Sequence, residues 1–270
     1  MTEAEAGDVD VPALLAAAAA ARPDPVGAKE HAGGLGSATR PQKFFCSEPR
    51  RLYAVKFAQN NHGDGRGIFN EQVVGLLGAL LQAPVPRVEL VLVPHLLVDD
   101  LLRDKSLHNL DFDPQAGVHH GSLWAERYSD RMTIEHVDAN RQRFGSLDIL
   151  HQWTMCSGDQ QWIYSNAEPH HVLSVDHTTF FPNGSAWTKE QLEAQRSNVA
   201  PDPALAPVNL KAEDRAPALT RLRAASDGDI VAAVGRPPDE WGVSQEERAA
   251  LVEYLLERRD AVLNYHAANN

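Results

Sequence analysis

Cysteine is scarce in this sequence: Cys46 and Cys156 are the only two among 270 residues. So few cysteines exclude a disulfide scaffold and a zinc site with four cysteine ligands, and are typical of a reducing cytoplasm. The sequence also lacks an apolar stretch of about 20 residues, which a membrane-spanning helix needs. The alanine-rich run at 13–21 follows acidic residues, whereas a signal peptide begins with basic ones. These absences predict a cytoplasmic protein without a membrane partner.

Positive charge is also in short supply. The chain has 25 Lys and Arg against 37 Asp and Glu, a formal net charge of −12. Because binding to nucleic acid depends on clustered Lys and Arg, no direct nucleic-acid partner is expected. The apolar fraction of 43% and the charged fraction of 23% are ordinary for a globular protein. The length allows one large domain or two lobes with a substantial core.

Local patterns in the first half of the chain predict strands around one helix. After a glycine loop at 33–37, the segments "QKFFC" and "LYAVKF" predict two strands joined by a turn. Apolar residues recur at helical spacing in "IFNEQVVGLLGALLQA", and "PVP" ends that helix. Val88–Val93 and "GSLWAERY" predict two further strands. This order predicts an α+β region with a mostly antiparallel sheet.

Helical signals dominate the second half. "SLDILHQWTM" predicts a helix, and 156–181 predicts a hairpin of two short strands, "WIYS" and "VLSV". Two capping-box pairs predict helix starts: Thr188 with Gln191, and Ser244 with Glu247. Four prolines at 198–217 predict a surface connection. The expected organisation is a flexible leader with an alanine-rich helix at 1–28, a sheet lobe at 29–128 and a largely helical lobe at 129–270, with a cleft between the lobes.

Four features occur in an order that suits phosphoryl transfer. A glycine loop lets backbone N–H groups approach phosphates closely. Lys56, inside a strand, could place its ammonium near the α- and β-phosphates, and Glu71, early in the next helix, could hold it there. Asp159 and Asp176 flank the hairpin. One aspartate could accept the proton of an attacking hydroxyl while the other holds Mg²⁺.

Several segments together resemble the HipA-like kinases, particularly the short actinobacterial type. The resemblance covers roughly 30–185 and is carried by "GGLGS", "YAVKF", "NEQVVGLLGALLQAPVPRVELV", "GVHHGSLWAERY" and "VDHTTFF". It implies a two-lobed protein-kinase-like fold with an antiparallel-sheet N-lobe and a mainly helical C-lobe. It also implies transfer of the γ-phosphate of ATP, with Mg²⁺, to a hydroxyl of an unidentified protein or small molecule.

The resemblance assigns roles to individual residues. It implies nucleotide contacts from Gly33, Gly34, Gly36, Ser37, Lys56, Glu71, and from the hinge residues Glu126, Arg127 and Tyr128. Asp159 matches the catalytic aspartate and Asp176 the metal-binding one. The loop "CSGDQQWIY" departs from the family pattern because it is about three residues short. Gln161 then stands where the family has a metal-binding Asn, and Asn166, in the turn beyond the strand, is the other candidate.

Two alternatives to a working kinase stay open. The shortened loop could belong to a catalytically impaired, nucleotide-binding pseudokinase. Twelve histidines, including the pairs His119–His120 and His170–His171, could instead belong to a His/Asp metal hydrolase. Adjacent histidines on a strand point to opposite faces, and no His-Glu-x-x-His helix is present, which counts against the hydrolase. His177, next to Asp176, could contact phosphate or metal.

Overall fold

The computed structural model describes residues 10–36, 40–47, 50–60, 65–103, 110–130, 137–156 and 160–269. The chain has the mixed α+β composition that the sequence predicts. The helices are α1 Val11–Ala20, α2 Arg66–Leu81, α3 His95–Arg103, α4 Val137–Thr154, α5 Lys189–Gln195, α6 Ala212–Ala224, α7 Asp227–Gly235 and α8 Gln245–Ala268. The strands are β1 Val26–Gly34, β2 Gln42–Cys46, β3 Arg51–Lys56, β4 Val88–Val93, β5 Gly117–Leu123, β6 Tyr128–Ser129, β7 Gln161–Ser165 and β8 Val172–Val175. None of the described helices combines the length and apolar character that a membrane crossing requires.

Five strands close into a barrel in the order β1-β2-β3-β5-β4. Four of the neighbouring pairs are antiparallel, as expected, but β1 and β4 close the barrel in parallel, with Val26 opposite Val91. The sequence analysis interpreted the start of this region as a glycine loop and missed β1. The strand contains three glycines in "VGAKEHAGG", so its local strand preference is weak, and pairing with a neighbour on each side holds it extended.

Alternation of apolar side chains along the strands fills the barrel. In β2, Gln42, Phe44 and Cys46 are buried while the residues between them are only partly buried. Phe44, Tyr53, Val55 and Val91 form the centre of this core, and Val98 and Leu101 of α3 pack against it. The period of two that predicts a strand from sequence is therefore the same pattern that builds the interior.

A second, larger core joins α2 to the helices that follow. Its most buried members include Phe69 on α2, Trp153 on α4 and Leu251 on α8. The helices α4 and α6 approach so closely that a Cβ atom at Gly145 would lie 2.1 Å from the carbonyl oxygen of Asp214. Only glycine permits this contact without a shift of one helix, so Gly145 sets the spacing of the pair.

Two expectations about irregular segments differ from the structure. The alanine-rich helix forms as α1, but it packs against α7 and α8, where Leu15 is 1% exposed, and β1 begins before residue 28. A separate flexible leader ending at 28 therefore does not match these residues. The proline-rich 198–217 segment also contributes to the core through the buried Leu205 and Val208. Proline also does not mark the end of regular structure here, because Pro217 lies inside α6.

A three-stranded sheet, in the order β6-β7-β8, follows the barrel in the chain. The predicted strand "VLSV" coincides with β8, and "WIYS" lies within β7. Gln161 at the start of β7 pairs with Val175 at the end of β8, so the first and last residues of the hairpin lie at the same end of the strand pair. The sequence predictions of both capping boxes are also confirmed, at α5 and at α8.

Candidate functional site

A cleft of about 300 Å³ lies where the barrel, α2 and the three-stranded sheet meet. This volume is at the lower end of the range for small-molecule sites, about 300 to 1,000 Å³. Its lining residues are Leu35, Gly36, Pro41, Ala54, Lys56, Glu71, Pro86, Ser122, Leu123, Trp124, Ala125, Tyr128, Asp130, Gln161, Ile163, Val175 and Asp176. Apolar side chains therefore share the cleft with a small group of charged ones.

Lys56, Glu71 and Asp176 form an ion-paired cluster in this cleft. The Nζ of Lys56 donates to Oε1 of Glu71 and, over 2.8 Å, to Oδ1 of Asp176. Lys56 and Glu71 have side chains only 9% and 3% exposed, whereas that of Asp176 is 33% exposed. The three residues that the sequence singled out are therefore in contact, and Asp176 is the member most accessible to a ligand.

The charges within the cluster stabilise one another against burial. Burial disfavours the ammonium of Lys56, but attraction by Glu71 and Asp176 outweighs it and raises the pKa of Lys56. Burial also disfavours the carboxylate of Glu71, but Lys56 outweighs it and lowers the pKa of Glu71. With the carboxylate of Asp176, the cluster has one negative charge in excess. Carboxylate oxygens with excess negative charge are a suitable environment for a divalent cation.

Thr178 joins the two carboxylates and was not singled out by the sequence. Its Oγ1 lies 2.9 Å from Oε1 of Glu71 and 2.9 Å from Oδ1 of Asp176. A hydroxyl has one proton, so Thr178 donates to one of these oxygens at a time. The backbone of Asp176 is in the left-handed region, at φ +63°, which Asp tolerates better than most residues. This turn directly after β8 places the side chains of both Asp176 and Thr178 beside the carboxylate of Glu71.

Asn70 fixes the segment after Asp176 to α2. Its Nδ2 donates to the carbonyl oxygens of Thr178 and Phe180, each over 3.0 Å, and its Oδ1 accepts from Nε1 of Trp187 over 3.0 Å. Asn70 is fully buried. Because Asn70 directly precedes Glu71, the same turn of α2 positions both the ion pair and the segment that carries Asp176.

Replacing Asn70 with alanine is expected to lower the free energy of unfolding by about 2 to 4 kcal/mol, because it leaves several buried polar groups without partners. Urea denaturation followed by circular dichroism measures this loss. Asn198→Ala is the matched control, because Asn198 is exposed and its side chain donates to a residue three positions away, Gln195. Equal losses in the two variants would show that the Asn70 contacts contribute little.

The glycine-rich segment reaches the cleft only in part. Gly36 lines it, whereas Gly33 and Gly34 are the last residues of β1 and are not among the lining residues. Gly33 has a φ of +104°, which favours glycine at the end of the strand. Both lie where the pairing of β1 with β2 ends, and their contact with a nucleotide stays a prediction. Ser37 lies outside the described residues.

Only part of the segment predicted as a hinge lines the cleft. Trp124, Ala125 and Tyr128 line the cleft, whereas Glu126 and Arg127 form an exposed turn that does not. The amide N–H of Glu126 donates back to the carbonyl of Trp124, which turns the chain away from the cleft. Tyr128 lines the cleft as expected of a nucleotide contact, and the contacts predicted for Glu126 and Arg127 stay predictions.

Gln161 lies where a second metal ligand is expected. It lines the cleft and pairs with Val175, the residue before Asp176. Asn166, the other candidate, lies in an exposed turn, accepts a hydrogen bond from Ser129 over 2.9 Å, and is not among the lining residues. Among described residues, Gln161 is therefore the better placed of the two. Asp159, the predicted catalytic residue, lies outside the described residues.

The histidine pairs do not converge. On β5, His119 packs against Phe57, while His120 bonds to Gln72 of α2 on the other face, over 2.8 Å. Nε2 of His177 is 3.0 Å from Oγ of Ser174 and the residue is 3% exposed, so it does not line the cleft as the sequence had suggested. Within the described part of the chain, none of these histidines belongs to a group of three potential metal ligands.

The fold is similar to the crystal structure of a Helicobacter pylori proinflammatory kinase, CtkA. The match has a TM-score of 0.58 and 12% sequence identity, and it covers 92% of this chain and 99% of that chain. No family model matches the chain, and no curated protein matches its sequence. At this level of identity the match concerns the fold alone: the chain has a kinase-like fold.

Proposed function

We propose that this protein is an ATP-dependent kinase of the HipA-like type, which transfers the γ-phosphate of ATP to a hydroxyl of a protein or small molecule. The observation that carries the proposal is the contact of Lys56 with both Glu71 and Asp176 in a cleft of about 300 Å³. A lysine held between two acids is the arrangement that phosphate binding beside a metal requires. The kinase-like fold supports the proposal independently.

The proposal assigns roles to residues of the cleft and to Asp159. Lys56 contacts the α- and β-phosphates and Glu71 keeps it oriented, while the backbone near Gly36 faces the phosphates. Trp124, Ala125 and Tyr128 flank the adenine at the less polar side of the cleft. Asp159 accepts the proton of the acceptor hydroxyl. The barrel and the helical region would then act as the two lobes, with residues 124–128 as the hinge.

The oxygen atoms at the cleft fit Mg²⁺. Asp176 supplies a carboxylate and Gln161 an amide carbonyl, which are the hard oxygen ligands that Mg²⁺ prefers. When bound, Mg²⁺ neutralises the charge of the phosphates. Thr178 keeps the carboxylate of Asp176 oriented through its hydroxyl. Gln has one more methylene than the Asn of the family pattern, so Gln161 holds its oxygen on a longer and less constrained arm.

Two measurements on the full chain test the proposal. ATP with Mg²⁺ is expected to raise the melting temperature, because a ligand that binds only the folded state stabilises it. Label from γ-labelled ATP is expected to reach the protein itself or an added acceptor, and Asp159→Ala is expected to reduce this to background. Absence of any nucleotide effect on melting would refute nucleotide binding and with it the kinase.

The atypical position of Gln161 favours one second candidate, a pseudokinase that binds nucleotide without turnover. The two candidates share the melting experiment and differ in the transfer experiment. Stabilisation by ATP without label transfer, unchanged in Gln161→Asn, would identify the pseudokinase. Transfer that increases in Gln161→Asn would show that a working kinase is limited by its metal ligand.

A further inference from the structure

A second cleft lies at the end of α4 and shares no lining residue with the first. It has a volume of about 190 Å³ and is lined among others by His151, Cys156, Asp202 and Arg258. His151 belongs to the last turn of α4, Cys156 follows that helix, and Asp202 precedes the 3₁₀ turn at Pro203–Val208. The cleft therefore gathers three potential metal ligands from two distant parts of the chain.

The three ligand atoms are close enough to share one ion. One ligand atom from each of His151, Cys156 and Asp202 lies within 4.8 Å of the other two. Ligands of one tetrahedral zinc ion are separated by about 3 to 4 Å, given bond lengths of about 2.0 to 2.3 Å. Small side-chain movements are thus enough to bring all three to one ion.

His151 and Asp202 are already in contact. Nδ1 of His151 lies 2.6 Å from Oδ2 of Asp202, and the other oxygen of Asp202 accepts the N–H of Ala204 over 2.8 Å. Metal ligands bind in their deprotonated form, so zinc can take the place of the proton that Nδ1 and Oδ2 share. Asp202 is itself oriented by the backbone, so the pair has a defined position.

Arg258 also lines the cleft, but its guanidinium is held by other groups. It donates to the carbonyl oxygens of Gln152, Gln195 and Asn198. His151 is only 2% exposed, so the histidine side of the cleft is shielded from solvent, whereas Cys156 is partly exposed.

We propose that His151, Cys156 and Asp202 form a zinc site, with water completing the coordination from the open side of the cleft. Thiolate and imidazole ligands select zinc over magnesium and calcium, which require oxygen ligands. The site differs in this respect from the oxygen atoms of Asp176 and Gln161. A zinc ion here links the end of α4 to the segment before Pro203, and so stabilises the contact of these two parts of the chain.

The experiment measures metal binding and does not depend on phosphoryl transfer. The full chain, freed of metal with a chelator, is titrated with zinc against a competing chelator, and its melting temperature is recorded with zinc or magnesium. One zinc ion per chain is expected to bind and to raise the melting temperature, with no such effect of magnesium at this site. Cobalt in place of zinc is expected to give the thiolate-to-cobalt absorption band.

Matched variants assign the ligands. Cys156→Ser and Asp202→Asn are expected to weaken zinc binding by at least about tenfold. Cys46→Ser and His95→Gln are the controls, because Cys46 lies in the barrel core and His95 is exposed on α3. Equal zinc binding by all four variants, or wild-type protein without zinc-induced stabilisation, would overturn the proposal. If Cys156→Ser does not fold, a missing thiolate band in wild-type protein overturns it as well.

Discussion

Lys56→Met is expected to reduce label transfer from ATP by a factor of about a hundred to a thousand, the usual cost of losing one charged group that stabilises a transition state. Lys56 has the only ammonium that the described residues place in the cleft, in contact with both Glu71 and Asp176. Methionine retains the length of the side chain and removes its charge. Transfer assays under matched conditions measure the effect.

The same substitution also destabilises the fold, and a double variant separates the two effects. Without Lys56, the carboxylate of Glu71 is buried with no cation, which costs about 3 to 5 kcal/mol. Adding Glu71→Gln removes that buried charge, so the double variant is expected to regain stability while staying inactive. Lys29→Met, at an exposed position on β1, is the control. Activity that returns together with stability would show that Lys56 acts only through folding.

Acidification from pH 7 to pH 4.5 is expected to remove several kcal/mol of stability through two buried histidines of β5. Burial lowers the pKa of His119 and of His120 to about 4, from an ordinary value of 6.5. Between these values the unfolded chain binds more protons than the folded chain, so stability falls as the pH falls. The loss between pH 7 and pH 4.5 is roughly 2 to 3 kcal/mol for each histidine.

The hydrogen bonds of His119 give this prediction a structural basis. Its Nδ1 accepts the N–H of Ala58 over 3.3 Å, and its Nε2 donates to the carbonyl of Gln115 over 2.8 Å. A second proton on the ring would face the N–H of Ala58, so protonation breaks the contact. Urea denaturation across the pH range is the measurement. His119→Gln is expected to flatten the pH dependence, and a stability that stays constant from pH 7 to pH 4.5 would contradict the prediction.

Elements whose signals are local could be predicted from the sequence. The capping box of Thr188 with Gln191 forms within one turn, and the alternation in "VLSV" is complete within one strand, so neither depends on distant residues. The strand β1 could not be predicted, because its extended form depends on pairing with β2 and β4. The burial of Leu205 and Val208 likewise depends on helices that the proline pattern does not reveal.

The residues of the candidate site also fall into those that local sequence reveals and those that depend on the complete fold. Lys56, Glu71 and Asp176 stand at recognisable points of a strand, a helix and a hairpin, so their sequence order was informative. Their contacts span 15 and 120 residues and depend on the complete fold. Thr178 and Asn70 were missed because sequence alone does not distinguish a polar residue that faces solvent from one that bridges two elements. Glu126 does not line the cleft because the chain turns there, and no local motif indicates that turn.

The parallel closure of β1 on β4 also has a consequence for association between copies of the chain. Each strand of the barrel has a neighbour on both sides, so the described barrel offers no open edge to a strand of another molecule. The outer strands of the three-stranded sheet are short, and the amide of Ser174 on β8 donates to Pro84 over 2.8 Å. These sheets therefore offer few unpaired strands with which another molecule could pair. If the barrel opened, the exposed backbone of its strands would become available for such pairing.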